Sequence, residues 1–486
     1  MALKIALCQN PYWVQSAAAG TSMTGTREGA IGRVEAYFDS NGFLTDLQRR
    51  VAIPTTSQER DSMPALQQYV AEEMTGSLQK LGYSCSVLPN PRSEYGPFLI
   101  ARRIEDPAKP TVLTYGHGDV VRGQDDQWRS GLSPWKIVIE GDRMYGRGTA
   151  DNKGQHTINV AALACVLEER GSLGFNSTIL IETGEETGSP GLGEFCKANR
   201  EALKADVLIG SDGPRLDHHR PTVFGGTRGV MNFNLKLTLR EGGHHSGNWG
   251  GLIANPAIIL THALATITDA RGQIQVPEWR PSTLTNSVRA ALGDAHIDAG
   301  EGAPAIDPDW GEKDLTPVER VFGWNSFEVL ALKAGNPDRP VNAIPPSAIA
   351  YCQLRFVVGT DPHDVVPALR RHLERHGFGQ IEVEPARDVI MNATRLDPEN
   401  PWARLAASSI EKTCGQKPNM LPNLGGSLPN AVFTDILGMP TVWVPHSYAA
   451  CSQHAPNEHL LAPVAREGLR LMAGLFWDVG AHGLSS

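Results

Sequence analysis

Two adjacent carboxylates, Glu185 and Glu186, sit in a glycine-rich turn at 182–191, directly after the apolar run 177–181. Neighbouring side chains in an irregular turn diverge, so one carboxylate can hold a cation while the other faces the open site as a proton acceptor. A lone Glu-Glu pair would be read as a solvated acidic loop. Its companions along the chain argue for chemistry. The apolar run 111–115 ends in Gly116-His117-Gly118-Asp119, where the carboxylate of Asp119 stands within reach of the imidazole and can hold its tautomer. The run 207–209 ends in Gly210-Ser211-Asp212-Gly213. In open α/β sheets the carboxyl ends of strands are where ligand sites collect. Three strands ending in such loops converge on one rim, and one metal site explains them better than three unrelated solvated turns. Asp151 lies in a further glycine-rich loop, 144–154, at a helix entrance, as an N-cap or as a ligand.

Two more loops carry reactive types. Residues 242–251 hold the adjacent imidazoles His244 and His245 among glycines that leave them exposed. The C-terminal segment holds Gly425-Gly426-Ser427, then His446 and His454 after the apolar run 441–444.

The elements that position these loops divide the chain. At 486 residues it exceeds one simple core, and an apolar content of 41% suffices for two domains or three. Helical spacing covers 28–50 and stops before Pro54, and Met63, Leu66, Val70, Met74, Leu78 and Leu81 form a one-sided stripe. Extended runs at 98–100, 111–115, 177–181 and 207–209 alternate with a helix over 158–169. From residue 222 the pattern changes: Met231, Phe233, Leu235, Leu237 and Leu239 alternate with polar residues, as in a half-buried antiparallel strand. A helix at 255–268, strands at 327–333 and 349–358, a helix at 362–376 capped by Asp361 and a strand at 381–384 complete β-α-β-β-α-β, the ferredoxin-like split motif. This predicts an inserted domain at 222–392 between catalytic parts 1–221 and 393–486, with a Pro- and Asp-rich excursion at 271–324. The last part resumes with helix, strand and helix at 403–413, 440–445 and 464–476.

A net charge of −9 and the lack of Lys/Arg clusters exclude nucleic acid and anionic membrane surfaces as partners. No apolar stretch is long enough to span a bilayer. Seven scattered cysteines without a C-x-x-C pair argue against a disulfide framework or thiolate metal site and predict a cytoplasmic protein. Residues 1–20 mimic a signal peptide, but Gln9, Asn10 and Pro11 interrupt the apolar run, which reads as a poorly ordered leader.

The stretches GHGDVV, YGRGTADNKG, ETGEETGS, SDG, GTRGV, HHSGNWGG, NAIPP, GGSLP and HAPNEH resemble the M20 family of dinuclear metallopeptidases, and within it the carnosinase-type dipeptidases. The resemblance implies a zinc-peptidase-like α/β catalytic domain, a mixed sheet flanked by helices, interrupted by a lid domain that makes a homodimer. It implies His117, Asp151, Glu186, Asp212 and His454 as ligands of two divalent ions bridged by Asp151. Two imidazoles and three carboxylates suit Zn²⁺ first, with Mn²⁺ or Co²⁺ as alternatives. Glu185 falls on the general base, Asp119 on the residue orienting the first histidine, and His245 on a lid histidine that reaches the partner subunit's site. Asn342 and Arg355 fall on positions holding the substrate carbonyl and carboxylate, and Gly425, Gly426 and Ser427 on a loop that also receives the carboxylate. His244 competes with its neighbour and His446 with His454, and Leu424 stands where relatives often carry charge. The implied reaction is hydrolysis of a dipeptide or short peptide with a free C-terminal carboxylate; an N-acyl amino acid amidohydrolase is the alternative. A catalytically silent peptide-binding homologue would need a lost ligand or base, and none is missing.

Overall fold

The computed structural model describes residues 25–297, 304–386 and 390–483. The predicted leader at 1–20 lies outside them. Strand β1 (Ser84–Leu88) precedes the apolar runs, which become β2 (Phe98–Arg103), β3 (Thr111–His117), β4 (Asn176–Glu182) and β5 (Val207–Gly210); the short β6 (Thr222–Phe224) comes next. Strands β7 (Gly229–Thr238), β8 (Ser326–Ala334), β9 (Ser347–Phe356) and β10 (Glu382–Pro385) follow, then β11 (Asn419–Leu421) and β12 (Thr441–Trp443). The main sheet has eight strands in the order β1-β2-β4-β3-β5-β12-β6-β11. It is mixed: β3 runs parallel to β4 and β5, and β12 parallel to β5, while β1 and β2 are antiparallel additions at one edge. Every residue of β4 is buried, as a strand covered by helices on both faces requires.

Helices α1 (Arg27–Asp39), α2 (Lys153–Arg170), α5 (Pro401–Cys414) and α6 (Ala462–His482) cover one face; α3 and α4 belong to the insert below. Residues Lys153 through Val166 of α2 are all buried, which wedges the helix between sheet and α6. Buried Arg27 at the start of α1 donates Nε to Asp478 on α6 at 3.0 Å and Nη2 to the Ser409 carbonyl on α5, clamping the three helices. The helical spacing over 28–50 resolves into α1 and a second helix, Gly42–Val51, because Asn41 adopts a left-handed φ of 64° that asparagine tolerates. The stripe from Met63 is continuous over 63–79 and buries Leu66, Val70, Met74 and Leu78.

The alternating run forms β7, with Met231, Phe233, Leu235 and Leu237 buried. The second sheet is antiparallel in the order β8-β9-β7-β10, backed by α3 (Pro256–Ile267) and α4 (Val365–Arg375), which is the split βαββαβ arrangement. Asn255 caps α3 by accepting from Ala257 N, with Pro256 at the first helical position. Asp364, not Asp361, occupies the N-terminal cap position of α4, and its carboxylate bonds to Arg371 instead of the helix amides; residues 361–364 form a turn in which the Asp361 carboxylate accepts from His363 N.

The excursion does more than pad the insert. Its helices Asn286–Leu292 and Pro317–Phe322 bury Val288, Leu292, Val318 and Phe322 against Leu421, Leu424, Leu428 and Trp443 of the main body. Trp279 anchors its other end in the insert core, donating Nε1 to the Val365 carbonyl. The segment is a strap across the two sheets.

Candidate metal centre

Strands β4, β3 and β5 are adjacent and parallel, so their carboxyl ends open on one rim. His117 closes β3, the Glu185–Glu186 turn follows β4 and Asp212 follows β5. The loop before α2 brings Asp151, and the loop after β12 brings His454. Imidazole Nε2 of His117 lies 3.0 Å from Asp151 Oδ1 and 3.7 Å from Asp212 Oδ2. Imidazole Nε2 of His454 lies 2.9 Å from Asp151 Oδ2 and 3.0 Å from Glu186 Oε2. Each oxygen of Asp151 therefore serves one imidazole and its neighbouring carboxylate. The capping role open to Asp151 is excluded, because its carboxylate points to the imidazoles and Asn152 occupies the cap position.

Asp119 holds two loops together. Its carbonyl accepts from His117 Nδ1 at 3.0 Å, and since a carbonyl only accepts, Nδ1 carries the proton and Nε2 faces the carboxylates. Its carboxylate accepts from Glu185 N at 3.2 Å, Glu186 N at 3.1 Å and the Ser57 hydroxyl at 2.7 Å, and stands 3.4 Å from His117 Nδ1. The carboxylate expected to fix the imidazole is mainly the clamp of the glutamate turn. Glu458, quoted only as part of its motif, plays the same part for the Asp151 loop. Its Oε1 accepts from the amides of Gly148, Ala150 and Asp151, and its Oε2 from Arg147 Nη1 at 2.8 Å. Gln453 was also missed and donates Nε2 to Asp151 Oδ2 at 2.5 Å. Its only sequence signal is adjacency to His454.

Burial shapes the electrostatics. It pushes Glu186 to about 7 and Asp212 to about 6, with the Asp151 charge adding to each. Burial also carries Glu185 well above the carboxylate range, and Glu186 and Asp212 push the same way against His117. Burial opposes ionisation of Asp151 too, but hydrogen bonds from His117 and His454 outweigh it and hold that carboxyl well below its ordinary value. The Asp151 and Glu186 carboxylates raise His454 to about 11. Asp212 Oδ2 is buried with no hydrogen-bond partner. Buried carboxylates that oppose one another's ionisation, together with an unpartnered oxygen, fit divalent cations, and the nitrogen–oxygen donor set is of the kind Zn²⁺ or Mn²⁺ accepts. One ligand atom each from His117, Asp151 and Glu186 lies within 4.8 Å of the others.

The remaining predicted residues separate. His446 packs against Gly468, both ring nitrogens lack partners, and burial followed by the Arg215 charge holds it neutral. It does not join the cluster. His244 and His245 do not float on a free loop: they pair with Ile344 and Ala343 in a two-stranded ribbon. Ser246 N donates to the Asn342 carbonyl, so His245 and Asn342 share that ribbon although 97 positions apart in the chain. His245 is exposed, whereas His244 turns its ring to Trp249. Among the described residues neither imidazole bonds to the carboxylate cluster. Arg355 donates Nη1 to the Ser427 hydroxyl at 3.2 Å, uniting two predicted substrate residues. Arg228 of the GTRGV stretch, which no sequence argument singled out, donates Nε to the Gly425 carbonyl at 2.7 Å.

Comparison with known proteins agrees with this rim. The profile of Peptidase family M20/M25/M40 matches residues 113–478. The chain is 25% identical over 482 residues to Beta-Ala-His dipeptidase of Rattus norvegicus, covering 93% of this chain and 96% of the relative. It is 30% identical over 464 residues to the Cys-Gly metallodipeptidase DUG1 of Candida albicans, covering 89% and 93%. The solved M20 family metallo-carboxypeptidase Sso-CP2 of Sulfolobus solfataricus is similar with a TM-score of 0.76 at 25% identity, over 90% of this chain and 99% of that one. A profile match over more than half of the sequence, on a fold shared with a solved member, places the chain in Peptidase family M20/M25/M40, as a metallopeptidase of the carnosinase-like dipeptidase group.

Proposed function

We propose that this metallopeptidase hydrolyses the amide bond of a dipeptide or short peptide bearing a free C-terminal carboxylate, with two divalent cations and Glu185 as general base. The single observation that carries the reading is Asp151, whose two oxygens each face a separate imidazole and carboxylate. His117 and Asp212 would hold one cation, His454 and Glu186 the other, and Asp151 both. Cations in this set would polarise the scissile carbonyl and acidify a water. Glu185 is not part of either half-site. Its carboxyl, raised by burial and its acidic neighbours, is suited to take a proton from the attacking water and deliver it to the leaving amine. Arg355 and the backbone of the 425–427 loop would hold the substrate carboxylate, and Asn342 its carbonyl. The relatives' names, Beta-Ala-His and Cys-Gly dipeptidase, favour dipeptides over N-acyl amino acids. The described cysteines are unpaired thiols, which fits the reducing cytoplasm.

His245 would complete the site from a second copy of the chain. It is exposed on the insert and, among the described residues, its ring accepts from Gly247 N and bonds to no member of the carboxylate cluster. The edge strand β8 supplies a surface for association: Val329, Leu330 and Leu332 are 44%, 59% and 54% exposed beside an unpaired backbone edge.

Three outcomes check this reading. First, the folded values of Glu186 (about 7) and Asp212 (about 6) exceed the ordinary 4.5 and 3.8, so their stabilisation of the metal-free protein is present below about pH 4 and lost as pH rises through about 7. Zn²⁺ or Mn²⁺ added to chelator-treated protein should raise Tm more at pH 8 than at pH 5; equal shifts would contradict the assignment. Second, Glu185→Gln should retain the metal content of the parent while kcat falls by about 10² to 10⁴. Loss of an ion in that variant, but not in Glu186→Gln, would exchange the roles of the pair. Third, mixing inactive His245→Ala and Glu185→Gln chains should restore activity up to a ceiling of about a quarter of wild type, since half of the dimers carry one complete site of two. No recovery after verified subunit exchange would show that His245 does not act in trans.

A further inference from the structure

Two guanidiniums meet the Gly425–Ser427 loop with no carboxylate to neutralise them. Arg228 is only 8% exposed; its Nε donates to the Gly425 carbonyl and its Nη1 to the Ser326 hydroxyl at 3.4 Å. Arg355 donates Nη1 to Ser427 Oγ and Nε to the Gln353 side-chain oxygen at 3.1 Å. Every one of these partners is neutral, and among the described residues neither arginine makes an ion pair. Glu328, the carboxylate whose field reaches Arg228, is an exposed residue of β8 beyond ion-pairing distance. Burial, and after it the charge of Arg355, pulls Arg228 down to about 9. A buried cation without a counter-charge is costly unless a ligand supplies one.

The donor inventory indicates where that ligand would bind. Ser427 has one hydroxyl proton, and it is given to the Arg228 carbonyl at 2.7 Å while the same oxygen accepts from Arg355. The hydroxyl therefore has no proton left for an incoming carboxylate. Nη2 of Arg228 and Nη2 of Arg355 have no partner among the described residues and remain as donors. The loop is pinned in this position: a Cβ at Gly425 would come within 2.8 Å of Val321 on the strap.

We propose that Arg228 is a second cationic group of the subsite that receives the C-terminal end of the substrate. The paired charge then selects a C-terminal residue with a side-chain carboxylate over one with a cationic side chain. This rests on the dipeptide reading above and adds a residue and a specificity to it. Two opposed charges within reach of a buried guanidinium strengthen binding, and two like charges oppose it.

The test uses the fully metallated protein and two dipeptides with the same N-terminal residue, one ending in Asp and one in Lys. Wild type should show kcat/KM at least about tenfold higher for the Asp peptide. In Arg228→Gln that ratio should fall towards one through KM, with metal content and circular dichroism unchanged, while Arg355→Gln should raise KM for both peptides. Equal kcat/KM for the two peptides in wild type overturns the proposal whether or not the variant folds. So does a folded Arg228→Gln that keeps the wild-type ratio within about twofold. If neither peptide is cleaved but calorimetry shows the Asp peptide bound more tightly than the Lys peptide, the hydrolytic reading fails and the Arg228 subsite stands.

Discussion

Negative charge held away from water governs how the rim of the main sheet is built. Asp119, Asp151, Glu185, Glu186 and Asp212 share one rim with only two imidazoles, and the Asp119, Asp151 and Asp212 side chains are almost fully buried. Burial and the neighbouring carboxylates push Glu185, Glu186 and Asp212 above the ordinary carboxylate range. The fold keeps them there by committing backbone amides and buried partners to the loops that carry them. Asp119 takes the amides of the glutamate turn, Glu458 takes three amides of the Asp151 loop, and Arg147 balances Glu458. Lys153 behind them donates to the carbonyls of Arg50 and Ile53, and burial brings it down to about 7. These contacts set the positions of groups that would otherwise move apart, which is the preorganisation that metal-assisted hydrolysis requires.

The central fold was legible because periodicity survives tertiary packing. Continuous apolar runs became the buried parallel strands β3, β4 and β5, and the alternating run became β7. Loops at strand ends told where His117, Glu185, Glu186 and Asp212 would gather. The single imidazole at 454 was harder to separate from His446 by sequence, since both follow β12 within a few residues. Packing decides between them: His446 is sealed against Gly468, whereas His454 reaches Asp151 and Glu186. What the sequence concealed shares one physical character. Glu458, Gln453 and Arg228 act through contacts across long chain separations, and no local period or cap marks such residues.

The strap illustrates the same limit. Its Pro- and Asp-rich composition reads as a surface excursion, yet Val288, Leu292, Val318 and Phe322 are spaced to enter the core of the main body. By lying beneath Leu424 and Gly425 it connects the insert to the loop that meets Arg228 and Arg355. The surroundings of Arg228 and Arg355 are thus built from both sheets and the segment that joins them. The ribbon of His244 and His245 with Ile344 and Ala343 projects from the insert instead, and its exposed imidazole is available to another chain.

Asp151 would bridge two cations, one beside His117 and Asp212 and one beside His454 and Glu186. Anomalous diffraction from crystals of the protein loaded with Zn²⁺, recorded on both sides of the zinc edge, would show whether it does. Two zinc peaks per chain are expected, each within ligand distance of a different oxygen of Asp151, at about 2.0 to 2.2 Å. A single peak per chain, or a second peak that Asp151 does not touch, would rule the bridge out.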